Sequence, residues 1–160
     1  LRHGIEHCNG KYIIMGDADD SYNFLELSLF IERLQAGYDM VMGNRFAGGI
    51  TKGAMPWLHR YVGNPFLSSL GRFLFKNNIG DFHCGLRAFT KKCYNIINPQ
   101  CNGMEFASEL VALASIHQMR ICEIPVILYP DGRKRRPHLR SWRDGFRHMV
   151  LLYSLYLLRN

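Results

Sequence analysis

The sequence predicts an α/β domain with a mostly parallel sheet, followed by a C-terminal amphipathic helix. A strand, an amphipathic helix and a second strand succeed one another within residues 12–42. That order is the signature of a βαβ unit, in which parallel strands are joined by a right-handed crossover. Helical and extended patterns then alternate to the end of the chain. At 160 residues and 48% hydrophobic content the chain is long enough for one packed core.

Leu1–Asn9 reads as the end of a short helix stopped by Gly10. Tyr12–Gly16 is a short apolar run, a buried strand that ends at Asp17. Asn23 caps the next helix, whose apolar positions Phe24, Leu27, Ile31 and Leu34 keep helical spacing until Gly37 ends it. Tyr38–Met42 is a second strand closing at Gly43. The Gly-rich stretch Asn44–Pro56 is too long for a plain connector.

Trp57–Asn77 is helical in pattern but holds Pro65, which predicts a kink or two helices. Ile79–Phe89 is irregular to extended, and Glu105–His117 is an amphipathic helix. Ile121–Leu128 is a strand whose Pro125 places it at or near an edge. Trp142–Leu158 is a final helix, basic in its first turns and apolar afterwards.

Lys and Arg exceed Asp and Glu by seven, which predicts a polyanionic partner: nucleotide, phospholipid or nucleic acid. The excess is concentrated. Between Asp131 and Arg147 there are seven basic residues and two acidic ones. The five cysteines show no CxxC spacing, which excludes a disulfide framework or zinc knuckle and fits a reducing compartment. His3 and His7 stand one helical turn apart without a third ligand nearby, a poor zinc site.

Asp17, Asp19 and Asp20 fall just past the carboxyl end of the first strand, the edge at which open parallel sheets bind ligands. Carboxylates so close repel one another unless a cation or hydrogen-bond donors compensate. A hard divalent ion held by one or two carboxylates and substrate phosphates would do so. An Asp-rich turn capping the following helix is the plain alternative.

These residues resemble a known pattern. Tyr12-Ile13-Ile14-Met15-Gly16-Asp17-Ala18-Asp19-Asp20-Ser21-Tyr22 is similar to the metal-binding signature of family 2 glycosyltransferases, in the dolichyl-phosphate mannosyltransferase-like branch. Gly43-Asn44-Arg45-Phe46 with Gly48-Gly49, then Trp57, Arg60 and Asn64, follow in that branch's order. Gly80-Asp81-Phe82-His83-Cys84-Gly85-Leu86-Arg87 is similar to its D-x-x-x-G-[FL]-R pattern. Met104–Glu109 and the basic run Arg133–Arg140 complete the set. The polyprenyl- and dolichol-phosphate sugar synthases look closest.

The resemblance implies a partial GT-A (Rossmann-like) domain over residues 1–140 and a membrane-proximal amphipathic helix over 141–160. In that family the base-binding half precedes the acidic motif. Here only a short stretch does, so the expectation is a fragment, with transmembrane helices following in the full-length protein.

The implied reaction is inverting transfer of a sugar from a nucleotide diphosphate to a polyprenyl phosphate, at the cytoplasmic face of a membrane. By resemblance Asp17 and Asp19 handle donor and metal (Mg²⁺ or Mn²⁺), with Asp19 the favoured direct ligand. Arg133, Arg135 and Arg136 suit bidentate contacts to the donor phosphates, with His138 and Arg140 beside them. A merely solvated or membrane-facing charge run is the alternative for this stretch.

Arg45, Arg60 and Arg87 are expected at the acceptor phosphate, with a loop-pinning salt bridge from Arg87 to Asp81 as the alternative. A lipid phosphate is already anionic and needs no strong base. A sugar-hydroxyl acceptor would need one, and Asp81 and Glu109 are the candidates. Glu105 lies in the first helical turn, where the helix dipole favours a carboxylate, and is a further substrate-contact candidate. The apolar run Met149–Leu158 is too short to span a bilayer and fits an interfacial helix. A basic binding module without chemistry would leave the three aspartates unexplained, and the basic run lacks the interleaved aromatics of a single-strand nucleic-acid binder.

Overall fold

A computed structural model describes residues 1–132 and 141–159, without the side chains of residues 141 and 142. In chain order it contains α1 (Arg2–Glu6), β1 (Tyr12–Met15), α2 (Leu27–Gln35), β2 (Met40–Asn44), α3 (Arg45–Gly48) and β3 (Gly49–Ile50). There follow α4 (Asn64–Phe75), β4 (Arg87–Thr90), α5 (Lys91–Ile97), α6 (Phe106–Ile116), β5 (Ile121–Leu128) and α7 (Ser141–Arg159).

The caps follow local chemistry. Asn23 Oδ1 accepts from the Leu25 amide at 3.1 Å, opening the 3-10 turn Phe24–Glu26 that leads into α2. Gly37, at φ +92°, takes the left-handed turn that ends α2. The expected break in residues 57–77 is a π-helical turn, His59–Gly63, running into α4, with Pro65 in the first turn of α4, where its missing N–H is harmless.

The strands lie in the order β1-β4-β2-β5-β3. β5 is parallel to β2 and β3, whereas β4 is antiparallel to both β1 and β2. β1 and β2 therefore point the same way, as a βαβ unit requires, but β4 is inserted between them. The pattern of residues 79–89 hides this strand, because Arg-Ala-Phe-Thr is too short to alternate and begins with a charge. Four strands share one direction. The register of the sheet aligns Met15, Arg87 of the antiparallel β4, Met42 and Glu123 in one row. The carboxyl ends of β1, β2 and β5 and the start of β4 thus meet along one sheet edge.

Pro125 is not on the outermost strand. β3 lies outside β5 but pairs only with Ile127 and Leu128, so among the described residues β5 has no strand partner on that side at Pro125. α3 packs there instead: a Cβ on Gly48 would come within 2.3 Å of the Val126 amide nitrogen.

Helices cover both sheet faces. Ile13, Met40, Met42 and Phe89 pack against Cys93 and Ile97 of α5 and Phe106, Leu110 and Val111 of α6. On the other face Val41, Ala88, Ile124 and Val126 enclose Phe30 and Leu34 of α2. Each fully buried Val, Leu, Ile, Phe or Met side chain among these contributes about 1.5–3 kcal/mol. A third cluster joins Leu74 and Phe75 of α4, Ala112 of α6 and Leu152 of α7. The apolar run of α7 is therefore divided: Leu152 faces this core, while Val150, Tyr153, Leu157 and Leu158 are exposed. Among the described residues no helix is long and apolar enough to cross a membrane.

Candidate active site

The loop after β1 carries the acidic residues to the sheet's carboxyl edge. Asp17 and Asp20 are exposed and Asp19 half-buried. The Ser21 amide and hydroxyl both donate to Asp19 Oδ1, at 3.2 and 2.5 Å. Asp20 adopts a left-handed φ of 65°, an uncommon conformation outside glycine that the surrounding bonds hold in place. Two backbone bonds tie the loop to the end of β5: Tyr129 N to Ser21 O at 3.0 Å and Gly132 N to Asp19 O at 2.8 Å. Gly132 is the residue before the basic run.

Asp17 rests on the loop before β4. A Cβ placed on Gly85 would lie 1.9 Å from Asp17 Oδ2. The Gly85 amide donates to the Tyr22 hydroxyl at 3.1 Å. Tyr22 is buried, and burial, with the neighbouring Cys84, pushes its pKa up, so the phenol keeps its proton. Cys84 is pushed up to about 11, chiefly by burial, and stays a thiol.

The same loop is pinned at nearly every residue. Asp81 is fully buried and pairs with Arg45 through two 2.7 Å bonds, to Nε and Nη2, and accepts from the Arg45 amide at 3.1 Å. Burial works against the Arg45 charge, but the hydrogen bonds and negative charge of Asp81 outweigh it and raise the guanidinium pKa. Glu123 accepts from the amides of Gly80 (3.0 Å) and Asp81 (2.9 Å). Ser68 Oγ accepts from the Phe82 amide at 3.2 Å.

These contacts give several of the expected site residues structural partners. Asp81, a base or sugar-contact candidate, is instead the buried partner of Arg45. Arg45 in turn is committed to Asp81 rather than open to an acceptor phosphate. Arg87 is 1% exposed and donates to Cys84 O and Ala107 O, the latter at 3.0 Å. It therefore holds backbone carbonyls, and among the described residues it makes no salt bridge to Asp81. Glu109 is buried, and its two oxygens accept from the amides of Gln100 (2.9 Å) and Cys101 (2.8 Å). That is the work of a loop clasp, not of a base. Glu105 precedes α6 and forms an ion pair with Arg147 of α7, so it reaches a helix neighbour rather than a substrate.

Arg60 is half-buried, donates to Ile50 O at 3.4 Å and lies over the Tyr61 ring. Arg133, Arg135, Arg136, His138 and Arg140 lie outside the described residues. Among the described residues no group of three His, Cys, Asp or Glu side chains is placed to hold a metal. Tyr22 closes the acidic signature quoted from the sequence, whereas Ser68 and Glu123 were not singled out there. Of these two only Glu123 left a signal, a solitary charge within the apolar strand Ile121–Leu128.

An acidic loop at the carboxyl edge of such a sheet is the arrangement of GT-A enzymes. The chain superposes on Mycobacterium tuberculosis glucosyl-3-phosphoglycerate synthase, solved with Mn²⁺, uridine-diphosphate-glucose and phosphoglyceric acid, with a TM-score of 0.70. That match is 14% identical and covers 96% of this chain and 52% of the other. The fold is of the GT-A type. Residues 1–96 match Glycosyl transferase family 2, and the chain belongs to that family.

Two curated relatives come from Haloferax volcanii. The low-salt glycan biosynthesis hexosyltransferase Agl6 is 37% identical over 148 residues, 92% of this chain and 35% of that protein. A dolichyl-phosphate hexose transferase is 32% identical over 116 residues, 71% of this chain and 48% of its own length. Polyprenol monophosphomannose synthase of Mycolicibacterium smegmatis is 29% identical, over 69% of this chain and 42% of its own. The chain thus spans less than half the length of these relatives.

Proposed function

We propose that this chain carries the acidic loop and acceptor side of an inverting, metal-dependent glycosyltransferase that moves a sugar from a nucleotide diphosphate to a polyprenyl phosphate. The observation that carries the reading is the seat of Asp17 against Gly85, beside Asp19, at the carboxyl edge of the sheet. The relatives named for dolichyl and polyprenol phosphate sugars support the acceptor class, and the neighbour solved with Mn²⁺ and a sugar nucleotide supports the donor class.

The donor set fits a hard divalent ion. Asp17 and Asp19 supply carboxylate oxygens, and Mg²⁺ or Mn²⁺ is commonly held by one or two carboxylates completed by substrate phosphates. Such an ion, when bound, neutralises charge building on the leaving diphosphate. Asp17 and Asp19 would hold the ion, without which their charges would repel the diphosphate. A lipid-phosphate oxygen attacks the anomeric carbon from the opposite side, its bond to the diphosphate breaks, and the nucleotide diphosphate departs. The attacking oxygen is already anionic. This matches a site in which Asp81 and Glu109 are both bound to structural partners and provide no base. Arg60 is the acceptor-phosphate candidate among the described residues. The basic run begins just after Gly132, whose amide is bonded to Asp19, and its arginines complete the phosphate contacts in this reading.

The surface supports a membrane-bound acceptor. Between Arg45 and Asp81 there is no acidic residue. Along this stretch Trp57, Tyr61, Val62, Phe66 and Phe73 are exposed, as are Lys52, Arg72 and Lys76. Exposed aromatics among cations suit the headgroup level of an anionic bilayer.

The test is calorimetric titration of the full-length protein with Mn²⁺ and a panel of sugar nucleotides, followed by transfer to polyprenyl phosphate. Asp17→Asn and Asp19→Asn should each remove metal-dependent donor binding and transfer. Unchanged binding and transfer in both variants would overturn the reading, and transfer only to a sugar hydroxyl would replace the acceptor.

A further inference from the structure

A buried polar chain, His83–Ser108–His148, takes no part in the chemistry above. Ser108 Oγ lies 2.9 Å from His83 Nε2 and 2.7 Å from His148 Nδ1. The two imidazole rings meet edge to face, 4.8 Å between centroids. Ser108 and His148 are buried. His83 Nδ1 is also buried and, among the described residues, is the one such side-chain atom without a hydrogen-bond partner.

Three separate elements meet here. His83 belongs to the loop that ends in Gly85, Ser108 to α6 and His148 to α7. Three apolar side chains would fill this space without the desolvation cost that buried polar groups carry. What the polar chain adds is direction. A serine hydroxyl has a single proton, so it donates to one imidazole while accepting from the other. Both bonds close only when α7 and the loop hold one relative position.

The loop end of this chain is close to the acidic site. His83 is two residues from Gly85, on which Asp17 is seated, and the intervening Cys84 contacts the Tyr22 hydroxyl that also receives the Gly85 amide. A second bond strengthens the α7 end, since Arg147, next to His148, pairs with Glu105 at the start of α6.

We propose that His83, Ser108 and His148 are positioning residues: they transmit the placement of α7 to the Gly85 loop and so set the Asp17 carboxylate for the donor. The inference rests on the donor role given to Asp17. It also links two parts of the chain that otherwise stay separate, because α7 carries an exposed apolar face while Asp17 lies at the sheet edge.

The experiment uses the full-length protein and measures KM for the sugar nucleotide, half-saturation by Mn²⁺, kcat and melting temperature. Ser108→Ala and His148→Phe should raise KM and the Mn²⁺ half-saturation about ten-fold, with kcat within about three-fold, the mark of weakened donor binding. His148→Asn puts an amide near the place of Nδ1, and Ser108→Thr keeps the hydroxyl. Both should restore near-native KM. Asp17→Asn serves as the reference. If Asp17→Asn loses donor binding while Ser108→Ala and His148→Phe change only the melting temperature, the relay is overturned and the site reading stands. Equal behaviour of His148→Phe and His148→Asn also overturns it, even if Ser108→Ala fails to fold. If Asp17→Asn binds donor normally, the site reading fails and the relay falls with it.

Discussion

The carboxylate of Asp17 occupies the space that a side chain on Gly85 would need: the nearest approach would be 1.9 Å, to Oδ2. The Gly85 amide is anchored to Tyr22, so the loop cannot simply retreat. Gly85→Ala should therefore expel Asp17 from its seat. The expected result is at least a ten-fold weaker metal-dependent donor affinity, with an overpacking cost of about 1–3 kcal/mol. Titration calorimetry and a denaturant curve measure the two effects. Native donor affinity in this variant would show that the seat of Asp17 is irrelevant to binding.

Asp81 and Arg45 make a second decisive pair. Removing one charge from a buried, hydrogen-bonded pair strands the other, at a cost of about 3–5 kcal/mol. Asp81→Asn should lower the melting temperature by roughly 10 °C, given about 2–4 °C per kcal/mol in a domain of this size. A catalytic base would behave differently, losing activity at unchanged stability. Thermal melts and turnover measured side by side tell the two apart.

Glu109 is argued in the same way. Glu109→Gln leaves one acceptor oxygen and points an amide nitrogen at a backbone N–H that the second oxygen now receives. An unsatisfied buried donor costs about 1–3 kcal/mol. Transfer to a lipid phosphate should persist in the folded fraction, measured well below the melting transition. Abolished turnover with full stability would return Glu109 to the role of base.

The order and type of the long elements were legible because helical and strand periodicities are local. α2, α6 and α7 begin and end within a few residues of their apolar patterns. The insertion of β4 between β1 and β2 was not, since strand order is a long-range property and four residues show no period. At the site, Asp17 and Asp19 stood out by their position after a strand. For Arg45, Arg87, Asp81, Glu105 and Glu109 residue type marked a charge but not whether its partner is a substrate or a neighbour in the fold. Arg45 and Asp81 are 36 positions apart in sequence and recognise each other only in the folded chain. Ser108 and His148 are 40 apart, and neither type nor spacing announces their bond.

His83 and His148 also make stability depend on pH. Burial lowers the pKa of His83 well below its usual value, aided by His148, Arg45 and Arg87. Burial lowers that of His148 as well; Glu105 and Asp144 oppose the shift and Arg147 adds to it. An unfolded histidine titrates near 6.5. Between that value and the lower folded pKa, the unfolded chain binds more protons than the native one, so stability rises with pH through this window. The contribution is complete above about 6.5 and is lost as the pH falls below it. Urea unfolding should therefore show lower stability at pH 5.5 than at pH 7.5. His148→Asn removes one of the two titrating rings and should flatten that difference while keeping the hydrogen bond to Ser108. Parallel pH profiles for the native protein and this variant would mean that protonation of His148 does not oppose folding, and that the buried chain tolerates a charge that its surroundings do not stabilise.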